Sequence, residues 1–144
     1  MIDYPAGFDA TRDKQRPICG VLAVALAADV SFDVAFAACK RNMMSFQKRM
    51  RGATYAPQRD EALRELAVKF DPNWRCNDIH TFSVMQFCEM HADDGKTYLL
   101  EIRGHILTLK GGRIIDQHIN KPWREYHHPR VKLHRAVRIE GKGW

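Results

Sequence analysis

The sequence predicts an α+β domain, in which an N-terminal helical half packs on a small C-terminal antiparallel β-sheet. Up to about residue 91, the apolar residues either form a continuous run or recur at helical spacing. From Thr97 onward the pattern becomes that of short strands, and Gly111-Gly112 between two apolar runs is a strong hairpin signal. With 144 residues, 45% of them apolar, we expect a single domain spanning residues 1–144.

Four helices are predicted in the N-terminal half: Cys19 to Ala28, Phe32 to about Arg41, about Gln58 to Phe70, and Phe82 to about His91. Ser31 and Thr81 precede the second and fourth of these segments and are suitable N-caps. Residues 42–57 are polar and basic and contain Gly52 and Pro57, so we expect a surface segment that ends in a loop.

Four strands are predicted in the C-terminal half: Thr97 to Ile102, His105 to Lys110, Arg113 to Asp116, and Val131 to Ile139. A two-residue loop at Gly111-Gly112 pairs Lys110 with Arg113 and, further along, Leu107 with Asp116. Asp116 then shares a sheet face with His105, at a diagonal separation of about 7–8 Å between strand positions. We therefore expect the two polar side chains to meet.

The charge of the chain permits a polyanionic partner. The net charge is +6 and the sequence pI is about 9.3. The cations are concentrated in two regions, which comprise Lys40, Arg41, Lys48, Arg49 and Arg51, and then Arg124, Arg130, Lys132, Arg135, Arg138 and Lys142. Solvated surface charge is the favoured interpretation, and nucleic acid remains a possible partner.

The sequence also indicates a location. Residues 1–13 contain no cationic start followed by an apolar run, and no apolar segment reaches the roughly 18 residues of a membrane span. The four cysteines are widely spaced, which favours free thiols. We expect a cytoplasmic protein without membrane association, and its oligomeric state stays open.

Cys19 is the candidate nucleophile. It follows Pro17 at the predicted start of a helix, where unpaired N–H groups and the helix dipole favour the thiolate. The alternative is that Cys19 is a small core residue, because free cysteine is among the most buried residue types.

His105 and Asp116 complete a possible catalytic group. A carboxylate beside His105 would hold the tautomer of the ring and favour the imidazolium, which stabilises a thiolate. A cysteine, a histidine and an aspartate in this arrangement are suited to nucleophilic acyl transfer. Asn120 is a second candidate to orient His105, but it falls beyond the predicted strand, so Asp116 is preferred.

Three motifs resemble those of the papain-like cysteine peptidase superfamily, most closely its small bacterial and phage-encoded members. They are Cys19-Gly20 opening a helix of small residues, Gly104-His105 leading into Ile106 to Leu109, and the run Ile114-Ile115-Asp116, and the match spans about residues 13–118. The resemblance implies a thiol protease or related hydrolase acting on a peptide, isopeptide or amide bond of a peptide or protein substrate, without a cofactor. Cys19 would form a thioacyl intermediate, His105 would transfer the proton, and Asp116 would orient His105. A transferase with the same intermediate stays open.

The chain departs from this superfamily at one position. Its members commonly carry a glutamine about six residues before the cysteine, where the side-chain amide binds the oxyanion, but position 13 here is aspartate. We expect the nearest glutamine, Gln15, to serve with the N–H of Cys19. The departure keeps a second hypothesis open, a catalytically inactive papain-like module that binds nucleic acid or an acidic protein.

A metal site is the remaining alternative. Cys76, His80, Cys88 and His91 carry suitable donor atoms but lack the tightly spaced pairs typical of zinc sites. Cys88 also belongs to the apolar face of its predicted helix. We expect no metal ion.

Overall fold

Four α-helices and six strands make up the part of the chain that the computed structural model describes, residues 3–9, 17–50 and 52–142. The helices are α1 (Cys19–Ala28), α2 (Phe32–Arg41), α3 (Ala56–Glu65) and α4 (Val84–His91). The strands are β1 (Val68–Asp71), β2 (Thr97–Ile102), β3 (His105–Lys110), β4 (Arg113–Ile115), β5 (Asn120–Pro122) and β6 (Arg135–Lys142). Short 3-10 helices cover Ile79–Thr81 and Trp123–Glu125. The predicted α+β class is confirmed.

The strands form one antiparallel sheet in the order β1-β6-β2-β3-β4-β5. Helices α1, α2 and α3 pack on one face, together with Leu99 and Val137. Helix α4 packs on the other face against Tyr98, Leu100 and Leu107. Because β2 and β3 are covered on both faces, the consecutive residues Tyr98 to Leu100 and Ile106 to Leu109 are all buried.

Helix α1 lies in the interior, and every residue from Gly20 to Ala28 is buried. Its small side chains let α2, α3 and β3 approach closely. The helix ends at Asp29, which has a left-handed φ of 55°. Lys110 of β3 donates to the carbonyl of Leu26 at 2.7 Å and pairs with Asp29, so a cation lies at the negative end of the helix dipole.

Two helix boundaries differ from the prediction. Helix α3 ends at Glu65, because Ala67 takes a left-handed φ of 60° and the following residues form β1. Phe70, predicted to be helical, instead pairs with Ile139 of β6. Helix α4 starts at Val84 and is capped by Ser83 rather than Thr81, since the side chain of Ser83 accepts from the N–H of Gln86. The predicted cap at Ser31 is confirmed.

The predicted hairpin is confirmed, with Lys110 opposite Arg113 and Thr108 opposite Ile115. Both glycines of the loop have positive φ, 58° and 73°, as a tight hairpin turn requires. The last strand was predicted to begin at Val131, but β6 begins at Arg135. Leu133 donates its N–H to the carbonyl of Phe82 next to α4, so regular sheet pairing of β6 begins only at Arg135.

Within residues 3–9, 17–50 and 52–142, no single helix has both the length and the apolar character needed to cross a membrane. Among the helices of these described ranges, only α1 and α2 taken together reach that length, and the chain bends by 111° between them.

Candidate active site

Cys19 is the first residue of α1 and lines an open cleft of about 340 Å³. Its side chain is half-buried, whereas the residues that follow it in the helix are buried. The preceding residue, Ile18, has no polar side chain that could accept from the first N–H groups of the helix. The thiol therefore lies at the positive end of a helix dipole and at an accessible surface.

His105 lines the same cleft as Cys19 and is the first residue of β3. It follows Gly104, whose φ of 70° belongs to the tight turn between β2 and β3. The turn leaves His105 at the end of the sheet, with 28% of its side chain exposed. The ring is thus held by the sheet but remains open to a substrate in the cleft.

Asp116 directly follows β4 and contacts His105. Its Oδ2 atom lies 2.7 Å from Nε2 of His105, as the hairpin register predicted. Its Oδ1 atom accepts hydrogen bonds from the backbone N–H groups of His118 at 2.7 Å and Ile119 at 2.9 Å. Burial would raise the pKa of Asp116, but His105 and these two N–H groups together lower it. Asp116 is therefore a carboxylate anchored on both oxygens.

Charge and hydrogen bonding couple the three side chains. Burial of Cys19 would raise the pKa of its thiol, but a hydrogen bond with His105 and the charge of that ring lower the pKa overall. Hydrogen bonds to Asp116 and then to Cys19 raise the pKa of His105 to about 10, against the opposing effect of burial. Because Asp116 engages Nε2, the other ring nitrogen, Nδ1, is the one left for Cys19. The arrangement favours a thiolate beside an imidazolium.

Gln117 is a site residue that the sequence prediction missed. Its side chain is buried, and its Oε1 atom accepts a hydrogen bond from the N–H of Ile18 at 3.2 Å. Tyr4 binds the turn formed by residues 116–119. Its hydroxyl donates to the carbonyls of Asp116 at 2.8 Å and Ile119 at 3.0 Å. The only sequence signal for Gln117 was its position as a polar residue directly after Asp116.

The wall of the cleft next to Cys19 includes Thr54, Arg59 and Glu101. Arg59 is only 8% exposed, and its Nη1 atom donates to the carbonyl of Thr54 at 3.1 Å and to Oγ1 of Thr54 at 2.9 Å. Its Nη2 atom lies 3.2 Å from Glu101. A Cβ atom on Gly20 would lie 1.9 Å from Oγ1 of Thr54, so a residue without a side chain is needed where this wall meets α1.

Some cations of the basic C-terminal region take part in contacts within the chain. Arg135 forms a bidentate pair with Asp60, at 2.9 and 3.0 Å, and also bonds to Glu101 at 2.7 Å. The guanidinium of Arg138 lies 4.2 Å from the ring centroid of Trp74. These two arginines stabilise internal contacts as well as contributing positive charge.

The remaining site predictions have different outcomes. Gln15, the predicted oxyanion donor, lies outside the described residues, as does Asp13. Asn120, the alternative partner of His105, instead accepts a hydrogen bond from Nε of Arg113 at 2.8 Å. In the part of the chain that the structure describes, no three His, Cys, Asp or Glu side chains are grouped to hold a metal ion.

Comparison of this chain with protein-family models, with curated proteins and with solved structures found no match.

Proposed function

We propose that the protein is a cysteine hydrolase that cleaves a peptide, isopeptide or amide bond through a thioacyl intermediate. One observation carries the proposal: the ring of His105, held by Asp116 at 2.7 Å, lines the same open cleft as Cys19 and lowers the pKa of its thiol. A nucleophile, a proton carrier and a group that orients the carrier are what covalent acyl transfer requires.

The reaction follows from these positions. The thiolate of Cys19 attacks the substrate carbonyl carbon, and His105 gives its Nδ1 proton to the leaving nitrogen as the C–N bond breaks. The acyl group is then held as a thioester on Cys19, and His105 is neutral. Water gives a proton to His105 and attacks the thioester, which releases the acid and restores the thiolate with its imidazolium. Asp116 stays ionised and keeps the ring in place.

The developing oxyanion needs hydrogen-bond donors. In this proposal the backbone N–H of Cys19 supplies one, because it lies at the start of α1 where no helical acceptor exists. Gln15 is proposed as the second donor, on its proximity in sequence. A well-placed donor contributes roughly 3 kcal/mol to the stability of the transition state.

A papain-like fold is part of the same proposal. It is supported by the order of the elements, with the helix that begins at Cys19 preceding an antiparallel sheet that carries His105. A peptide or protein substrate and a cytoplasmic location also belong to the proposal. All four cysteines are free thiols, which a reducing compartment preserves.

Alkylation with iodoacetamide near pH 7 tests the proposal, with each thiol followed by peptide mass spectrometry. Cys76 is an internal reference because it is exposed, whereas Cys19 is half-buried. Steric access alone predicts faster labelling of Cys76, and a thiolate beside His105 predicts faster labelling of Cys19. The rate at Cys19 should fall in His105→Ala. Faster labelling of Cys76 than of Cys19, together with no effect of His105→Ala, would contradict the proposal.

A further inference from the structure

Two exposed aromatic side chains lie beside the Cys19 cleft. Phe46 is 61% exposed and Tyr55 48%, and their rings pack edge to face with centroids 4.9 Å apart. Together with Gln47, Arg49 and Ala53 they line a second cleft of about 310 Å³, here called the aromatic cleft. Adjacent apolar rings left open to solvent point to a binding role more than scattered single residues do.

The segment 52–55 joins the aromatic cleft to the nucleophile. Gly52 packs against Ile18, where an added Cβ would lie 2.7 Å from Cγ2 of Ile18. Thr54 contacts Gly20 in the same way. The segment therefore touches the residues on both sides of Cys19, and Ala53, which lies between its two contact points, lines both clefts.

Helix α3 holds this segment in place. The N–H of Tyr55 donates to Oε1 of Gln58 at 3.1 Å, and Nε2 of the same glutamine donates to the carbonyl of Cys39 at 2.8 Å. Arg59 holds the carbonyl and hydroxyl of Thr54. These bonds fix the position of the aromatic cleft relative to Cys19, so binding in one cleft positions a ligand in the other.

We propose that the aromatic cleft binds an aromatic or large aliphatic side chain of a peptide whose scissile carbonyl lies at Cys19. The inference rests on the proposed hydrolase function. An extended peptide advances about 3.3 Å per residue, so consecutive residues can occupy clefts that share the wall at Ala53. Arg49 at the rim would favour an acidic residue or carboxylate close to the apolar side chain.

A peptide fits these features better than single-stranded nucleic acid does. Nucleic-acid grooves combine aromatic platforms with a track of cations. Among the described residues that line the aromatic cleft, Arg49 is the only cation. The edge-to-face packing also directs the edge of one ring at the face of the other, instead of offering two parallel faces to stacked bases.

Internally quenched peptides test the inference. A panel of alanine-rich peptides carries one phenylalanine, moved through each position on either side of the scissile bond, and kcat/KM is compared with that of the all-alanine peptide. We expect phenylalanine at one position to raise kcat/KM by about tenfold or more. Phe46→Ser should remove most of that preference, and Phe46→Leu should retain part of it. Met90→Ser is the matched control, because Met90 is 54% exposed and belongs to α4 on the other face of the sheet.

Alkylation by iodoacetamide separates this inference from the proposed function. In Phe46→Ser, the rate at Cys19 should equal that of the unmodified protein, since Phe46 does not line the Cys19 cleft. Three outcomes, each together with fast labelling of Cys19, would overturn the proposed role of the aromatic cleft and leave the hydrolase proposal standing. They are no preference for phenylalanine, a preference that Phe46→Ser does not change, and no cleavage of any peptide in the panel. Slow labelling of Cys19 would overturn the hydrolase proposal and this inference with it. Binding of labelled oligo(dT) that is lost in Phe46→Ser would assign the cleft to nucleic acid instead.

Discussion

Gln117 and Ile18 are joined by a hydrogen bond of 3.2 Å from the backbone N–H of Ile18 to the side-chain carbonyl of Gln117. Ile18 immediately precedes Cys19, and Gln117 immediately follows Asp116, which holds His105. A single turn after β4 thus contacts both His105 and the backbone next to Cys19. The relative position of thiol and ring depends on this turn.

Gln117→Ala should therefore slow alkylation of Cys19 by several-fold at neutral pH. The variant leaves the buried N–H of Ile18 without this acceptor, which costs about 1–3 kcal/mol of stability. The start of α1 would then be less firmly held relative to His105. The measurement combines iodoacetamide labelling with chemical unfolding.

Gln86→Ala is the matched control for Gln117→Ala. Oε1 of Gln86 accepts from the N–H of Ser83 at 2.9 Å, the same type of bond at the start of α4. This variant should lose stability without affecting Cys19. Equal labelling rates in the two variants would show that Gln117 contributes only to stability.

Asp116→Asn should lower the reactivity of Cys19 at pH 6–7 by roughly tenfold or more. The carboxylate makes the largest contribution to the raised pKa of His105, so an amide lowers that pKa and weakens the stabilisation of the thiolate. At a pH below the pKa of the thiol, each unit by which that pKa rises lowers the thiolate fraction about tenfold. Asp94→Asn is the control, because Asp94 lies beside a different histidine, at 3.5 Å from Nδ1 of His91. Similar effects of both substitutions would argue against a specific role for Asp116.

The pH dependence of alkylation should reveal the coupling between Cys19 and His105. The pKa of Cys19 lies below its ordinary value of 9.0, so the thiolate persists to lower pH and reactivity falls only as the pH drops through that lowered pKa. In His105→Ala the midpoint should move to higher pH. Burial raises the pKa of Cys19, and this variant removes His105, the main group that lowers it. The rate is measured from pH 4 to 10 by mass spectrometry. A midpoint at or above 9.0 in the unmodified protein would contradict the thiolate.

Gly20→Ala should destabilise the protein although alanine is the better helix former. The exchange alone favours a helix by about 1 kcal/mol. The new methyl group, however, would lie 1.9 Å from Oγ1 of Thr54, and overpacking of this kind costs about 1–3 kcal/mol. Adding Thr54→Ala removes Oγ1 and should recover part of the loss, which a double-mutant cycle measures as coupling. If the two substitutions change the free energy of unfolding additively, Thr54 does not clash with the added methyl group on α1.

Local patterns predicted the elements that carry the candidate site. The continuous small-residue run indicated α1, and the glycine pair with two apolar flanks indicated the hairpin and its register. Both signals are strong because they depend on neighbouring residues only. The end of α3 was missed because the spacing of Leu66 and Phe70 also suits a helix, and pairing with β6, far along the chain, decided in favour of a strand.

The amino-acid sequence alone determined that a thiol begins a buried helix and that an aspartate and a histidine face each other across a tight hairpin, because both relationships are set over a few residues. Tertiary structure decided that Cys19 and His105 share one cleft and that Gln117 reaches Ile18. It also placed Phe46 and Tyr55 next to that cleft. Contacts between residues so distant in the chain depend on how the helices pack on the sheet, which no local spacing encodes.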